Sequence, residues 1–220
     1  MRPLALALFC DDGAPWETLA SVLSPRECQQ ASELATKKRR QFVLGRRAAH
    51  AALERLGEKL PPGGWDVQND SNGAPLACAD GQEWLVSLSH SGRVAFAVAW
   101  LPKARRISWG VDVERVRPSE VSLSEWAFSK RERGMLARET DFPLAGLVAW
   151  SLKEAAWKAL RPARSCGPET VFLENWAWAQ RRATLRASQR EIAAWWRVVD
   201  GPDGAYVWAI GRVQNELSGE

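Results

Sequence analysis

The order in which strand-like and helix-like patterns follow one another is what most restricts the fold of this chain. Short apolar or alternating runs at Pro3–Cys10, Leu85–Ser89, Val94–Trp100 and Ile107–Val113 read as strands. Ser24-Pro25 supplies an N-cap hydroxyl and a proline at the first helical position. Helical pattern runs from there to Gly57, with a break near Thr36. In its second part Phe42, Gly45, Ala49, Ala52, Leu53 and Leu56 form one stripe, with Arg39, Arg46, Arg47 and His50 away from it. Ser129 and Glu132 have capping-box spacing and open a short helix that ends before Asp141-Phe142-Pro143. Leu144–Leu160 predicts a long helix, stopped by Pro162. Short strands follow near Val171, Trp176–Trp178, Leu185, Trp195–Val199 and Tyr206–Gly211. Loops or turns are expected at Pro61–Gly64, Asn69–Gly81 and Ser89–Arg93, and an exposed link at Lys103–Arg106. Helices mixed with antiparallel-looking strands predict an α+β fold rather than a doubly wound parallel sheet. A midpoint near residue 105 divides the chain into halves 1–105 and 106–220. Each half would start with a strand, continue into helix and finish in strands.

The 220 residues carry a net charge of +4 and a pI near 9.1, which suits an acidic partner or an anionic ligand. The basic residues are spread out. The densest run, Lys37-Lys38-Arg39-Arg40, fits a solvated helix face as well as a phosphate contact. Cys10, Cys28, Cys78 and Cys166 are far apart and lack metal-ligand spacing, so reduced thiols in the cytoplasm are expected. The leading apolar run is too short for a signal peptide, and no stretch approaches the ~20 apolar residues of a membrane span. Most of the thirteen tryptophans are expected to pack the core.

Three short constellations bear chemistry. In Trp109-Gly110-Val111-Asp112-Val113-Glu114, strand alternation projects Asp112 and Glu114 to one side and Val111 and Val113 to the core. Two such carboxylates suit Mg²⁺, which takes oxygen ligands and keeps waters and substrate phosphates. Taken alone they fit a solvent-facing strand edge ending at Arg115 better than a metal site. In Trp150-Ser151-Leu152-Lys153-Glu154-Ala155-Ala156-Trp157-Lys158, Glu154 and Lys158 meet on one helix face, either as a surface ion pair or as the lining of a cleft. Ser87-Leu88-Ser89-His90-Ser91-Gly92 places hydroxyls and an imidazole at a strand-to-strand turn, where backbone N–H groups suit an anion. A turn histidine without function is the other reading. Gly-x-Ser-x-Gly is absent, which argues against a serine hydrolase.

Taken together, the order and spacing of these motifs resemble the Sfp-type 4′-phosphopantetheinyl transferase family. That family carries a Ser-His-Ser turn, then Gly-[Ile/Val]-Asp-[Ile/Val]-Glu, then Trp-[Ser/Thr]-x-Lys-Glu-[Ala/Ser]-x-x-Lys. The resemblance is clearest over residues 69–160. It implies two similar α/β halves related by a pseudo-twofold axis, with the active site at their interface. It assigns Asp112, Glu114 and Glu154 to Mg²⁺, with coenzyme A as substrate. Lys158 would stand near the pyrophosphate and Lys153 would help position phosphates. His90 would contact a coenzyme A phosphate beside Ser89, and Arg46 the nucleotide 3′-phosphate. Gly73 and Pro75 would shape the loop over the nucleotide. Ala74 departs from the family, which has lysine there; Arg39, Arg40 or Arg46 are the candidates to compensate.

The reaction implied is attack by a carrier-protein serine on the β-phosphate of coenzyme A, releasing 3′,5′-ADP. Glu154 is the candidate general base. The partner is an apo carrier protein, acidic around its serine. The helix from Ser129, with Lys130, Arg131 and Arg133 near Phe128 and Met135, is the candidate docking surface, although an ordinary amphipathic helix fits too. A Mg²⁺-dependent nuclease and an inactive coenzyme A- or carrier-binding protein are the rival readings. No nucleic-acid motif favours the first, and the complete acidic set argues against the second. A monomer is expected, binding neither nucleic acid nor membrane.

Overall fold

The computed structural model describes residues 4–57, 64–101, 106–117, 126–161 and 166–214. The chain forms two compact units, Met1–Arg105 with Gly201–Asp203, and Arg106–Asp200 with Gly204–Glu220. Each unit holds one five-stranded antiparallel sheet, so the fold is α+β. The expected turn at 61–63, the link at 103–105 and Pro162 lie outside the described residues.

The first unit runs β1 (Leu4–Cys10), α1 (Trp16–Ala20), α2 (Pro25–Ser32), α3 (Thr36–Arg55), β2 (Asp66–Asn69), β3 (Pro75–Ala79), β4 (Gln82–Ser91) and β5 (Val94–Trp100). Its sheet order is β1-β5-β4-β3-β2. Every residue of β5 is buried; it is an interior strand, paired with β1 and β4 along its two edges. Ala95, Ala97 and Ala99 form a small-residue floor on which Leu44, Ala48, Ala49, Ala52 and Leu53 of α3 lie. The helix break near Thr36 is where α2 gives way to α3. Ser24 caps α2 with a complete capping box to Glu27. Gly57 follows α3 at φ +86°, a left-handed conformation that glycine adopts without strain.

Two expectations are corrected in this unit. The segment 69–81 is not all loop, because its glycine- and asparagine-rich part is compressed into one tight turn. Asp70 Oδ1 accepts from the backbone N–H groups of Asn72 and Ala74, and β3 starts at Pro75. The turn after β4 is also shorter than expected. Ser89, His90 and Ser91 pair with Phe96, Ala95 and Val94 in the β4–β5 ladder, so these three residues belong to the strand.

The second unit runs β6 (Ile107–Arg115), α4 (Lys130–Leu136), α5 (Phe142–Leu160), a 3₁₀ turn at Pro168–Thr170, then β7 (Phe172–Ala177), β8 (Arg182–Ala187), β9 (Arg190–Gly201) and β10 (Gly204–Gln214). Sheet order β6-β10-β9-β8-β7 repeats that of the first unit position for position. The capping box of α4 joins Ser129 and Glu132. Asp141 caps α5 by accepting from the Leu144 N–H at 3.1 Å. The core lies between α5 and the sheet, with Val148, Leu152, Ala155, Ala156 and Ala159 against Val207, Ala209 and Val213. Trp178 lies between Trp176 and Trp196 in a ring cluster, so Trp196 is a packing residue.

Candidate active site

Gly110 and Gly211 are cross-strand partners on β6 and β10. A methyl on Gly110 would lie 2.1 Å from the Ala155 carbonyl oxygen, and one on Gly211 2.9 Å from Ala156 Cα. The missing side chains let α5 rest directly on the sheet. Alternation then turns Asp112 to the same side as Gly110, facing α5. Val111 and Val113 point to the opposite face, where both are buried. Both are core residues, as expected, and the side covered by α5 is the side of Asp112.

Asp112 is 1% exposed. Its Oδ1 accepts from Lys158 Nζ at 2.7 Å, and Lys158 Nζ lies 3.2 Å from Glu154 Oε2. Burial raises the Glu154 carboxyl above its ordinary value, and the Asp112 charge raises it further. Burial alone would pull Lys158 down, but Asp112 and Glu154 outweigh it and hold the ammonium above its ordinary range. Lys158 is thus a fixed cation between two carboxylates.

This donor set suits a hard divalent cation, since Mg²⁺ is often held by one or two carboxylates, waters and a substrate phosphate. Asp112 and Glu154 form such a pair. Glu114 follows on the same strand face and is half-buried. Among the described residues, however, no group of three such side chains is close enough to hold a metal ion. The three-carboxylate expectation reduces here to a pair.

Lys153 is not part of this group. It is fully buried, and its ammonium donates to the Ala127 carbonyl at 2.6 Å and to Glu132 Oε1 at 3.1 Å. Glu132 also accepts from the backbone N–H groups of Leu173 and Ser129. Burial would raise its carboxyl, but these donors outweigh it and hold the group low. The expected phosphate role of Lys153 is corrected to a structural one: its charge is used in tying α5 to α4.

In the first unit, His90 is exposed on the α3 side of the sheet, where a methyl on Gly45 would lie 3.7 Å from its ring. Ser89, its neighbour on the strand, is buried and points to the opposite face. Gly73 sits at φ +87° in the Asp70–Ala74 turn, and Pro75 pairs with Asn69.

Arg46 and His50 are buried, contrary to the expectation that they lie away from the packed stripe. Helix α2 covers them through Glu27. Arg46 also lines a hollow of about 470 Å³ together with Arg26, Gln30, Glu33, Leu34, Phe42, Gln68 and Asn69. Its guanidinium lies over the Phe42 ring, 4.4 Å from the centroid. Arg39 caps α2 by donating to the carbonyls of Ala31, Ser32 and Leu34. Arg40 is paired with Asp11. Of the candidates to compensate for Ala74, Arg46 is the one that lines the hollow.

Glu27 and Asp11 are hubs of polar contacts that the sequence motifs above do not include. Ser24-Pro25-Arg26-Glu27 has the same capping-box spacing as Ser129–Glu132, and that signal marks Glu27.

Two family models match this chain. Residues 26–100 match the 4′-phosphopantetheinyl transferase N-terminal domain, and residues 108–210 match the 4′-phosphopantetheinyl transferase superfamily. The chain belongs to the 4′-phosphopantetheinyl transferase superfamily. These domains carry 4′-phosphopantetheinyl transferase activity, the transfer of phosphopantetheine from coenzyme A to a carrier-protein serine. A search of curated proteins returned no match.

Proposed function

We propose that this chain is an Sfp-type, Mg²⁺-dependent enzyme that converts apo acyl, polyketide or peptidyl carrier proteins to their holo forms and releases 3′,5′-ADP. The observation that carries this reading is the convergence of Asp112, Glu154 and Lys158 where α5 rests on β6. Asp112 and Glu154 would hold Mg²⁺, with Glu114 completing the set once substrate is present. The metal would supply charge neutralisation at the pyrophosphate.

The remaining chemistry belongs to side chains. Glu154 accepts the proton of the attacking carrier serine, directly or through water. Lys158, kept protonated by its two carboxylates, stabilises charge on the 3′,5′-ADP as it leaves. His90 donates to a coenzyme A phosphate. The hollow beside Arg46 seats the nucleotide end, and the turn containing Gly73 and Pro75 borders it through Asn69. Function as a monomer in the cytoplasm fits the four free cysteines and the two units carried in one chain.

The test is mass spectrometry of apo carrier protein incubated with enzyme, coenzyme A and Mg²⁺. A gain of one phosphopantetheine is expected. No gain across fatty-acid, polyketide and nonribosomal-peptide carriers would overturn the reading.

The carrier is proposed to dock at α4. Lys130 and Arg131 are exposed there, and Trp126, 65% exposed, packs edge-on against Trp150. An acidic carrier helix meets both charge and an aromatic anchor on this surface. Reversing Lys130 and Arg131 to glutamate is expected to raise the KM for carrier protein about tenfold or more. The KM for coenzyme A should stay within twofold. Steady-state kinetics check this, and an unchanged carrier KM discards the surface.

A further inference from the structure

Glu27 is fully buried at a junction of three elements, α2, α3 and β2. Its Oε2 accepts from the Ser24 N–H at 2.9 Å and its Oε1 from the Val67 N–H at 3.1 Å. His50 Nε2 lies 3.2 Å from Oε2, and Arg46 Nε lies 3.4 Å from Oε1. The two backbone N–H groups and His50 are hydrogen-bond partners of this carboxylate, while Arg46 Nε stands beside it as an ion pair without a hydrogen bond.

The second unit contains the same arrangement. Glu132 closes a capping box, accepts the N–H of Leu173 on the edge strand β7 and takes a cation from the long helix. The cations differ. Lys153 is a compact charge whose donors are spent inside the unit. Arg46 is a planar fork that approaches Glu27 through Nε, and its two Nη groups carry four of its five N–H donors. Those groups are left for the hollow that Arg46 lines. Burial pulls Arg46 below its ordinary value, and Glu27 and Asp66 offset only part of that. An anion in the hollow would supply the balance.

We infer that Glu27 is a positioning residue: it fixes Arg46 from behind, so that the Nη edge, with Arg26, Gln30, Gln68 and Asn69, receives the 3′-phosphate of the coenzyme A nucleotide. This rests on the coenzyme A reading above. Glu132 is the matched control, because its cation, Lys153, is fully buried and donates inside the unit.

Calorimetry tests this without requiring transfer. Adenosine 3′,5′-bisphosphate and adenosine 5′-monophosphate are titrated into the native chain, Glu27→Gln, Glu132→Gln and Arg46→Gln. The native chain should prefer the bisphosphate by about tenfold or more, as a charge-assisted contact to the 3′-phosphate requires. Glu27→Gln and Arg46→Gln should lose that preference while still binding the monophosphate. Glu132→Gln should melt earlier but keep the preference. In the transfer assay, Glu27→Gln should raise the KM for coenzyme A and leave kcat and the KM for dephospho-coenzyme A unchanged.

A native chain without the preference, or a Glu27→Gln variant that keeps it, overturns the inference. Equal weakening of both ligands also overturns it, since that is what a purely structural glutamate would do. If Glu27→Gln does not fold, Arg46→Lys decides: a retained preference shows that the fork held by Glu27 is not needed. A chain that discriminates the nucleotides but never modifies a carrier sinks the transfer reading and leaves Glu27 in place.

Discussion

Asp112→Asn will leave the chain folded and reduce transfer by on the order of 10³-fold, which corresponds to about 4 kcal/mol of lost transition-state stabilisation. The amide matches the carboxylate in size, so packing beneath α5 is retained. Two things are lost with the charge. The carboxylate pair proposed to hold Mg²⁺ falls to Glu154 alone, and Lys158 loses the partner at 2.7 Å. Burial pulls Lys158 down, and Asp112 is the larger of the two charges opposing it. In the variant the ammonium is less firmly held between the helix and β6. Initial rates across a Mg²⁺ series, with thermal unfolding of the same samples, check the prediction. Mg²⁺ should raise the melting temperature of the native chain and not that of the variant, because a ligand that binds only the folded state stabilises it. A folded variant within threefold of native activity would remove Asp112 from the mechanism.

Much of this site is legible in local sequence, for reasons of periodicity. Strand alternation puts Asp112 and Glu114 on one side, and helical spacing puts Glu154 beside Lys158. The contact from Asp112 to Lys158 joins two separate elements, and no local pattern encodes it. It follows from Gly110, whose meaning appears only once α5 is known to lie on it. Lys153 shows the opposite case. Its neighbours along the helix suggest a cleft, but α4 and β7 supply Glu132 and enclose it. Arg46 and His50 look like the polar edge of an amphipathic helix until α2 covers them through Glu27. β3 was hidden by composition, since Asp70-Ser71-Asn72-Gly73 reads as open loop but folds as one turn closed by the Asp70 carboxylate. The strand character of Ser89–Ser91 was masked by a glycine that turns the chain only after Ser91.

Gly110→Ala will cost about 3 kcal/mol of stability, an overpacking penalty at the upper end of the usual range. The added methyl would meet backbone atoms: the Ala155 carbonyl oxygen at 2.1 Å and the Ala159 nitrogen at 2.3 Å. A flexible side chain could swing aside, but a helical backbone yields only by moving the whole helix. For a chain of this size the loss lowers the melting temperature by about 6–12 °C. The same displacement lifts Glu154 and Lys158 away from Asp112, and a misplacement of about 1 Å costs roughly 10²-fold in rate. Activity should therefore fall at temperatures where the variant is still fully folded, a loss that unfolding alone does not produce. Gly134→Ala on α4 is the control, because a methyl there meets nothing within 4 Å. It should leave stability unchanged or improve it by about 0.5–1 kcal/mol, the helix preference for alanine over glycine. Urea unfolding of both variants, with transfer rates well below their melting temperatures, separates the effects. If Gly110→Ala is as stable and as active as the native chain, the close approach of α5 to β6 does not hold the site together.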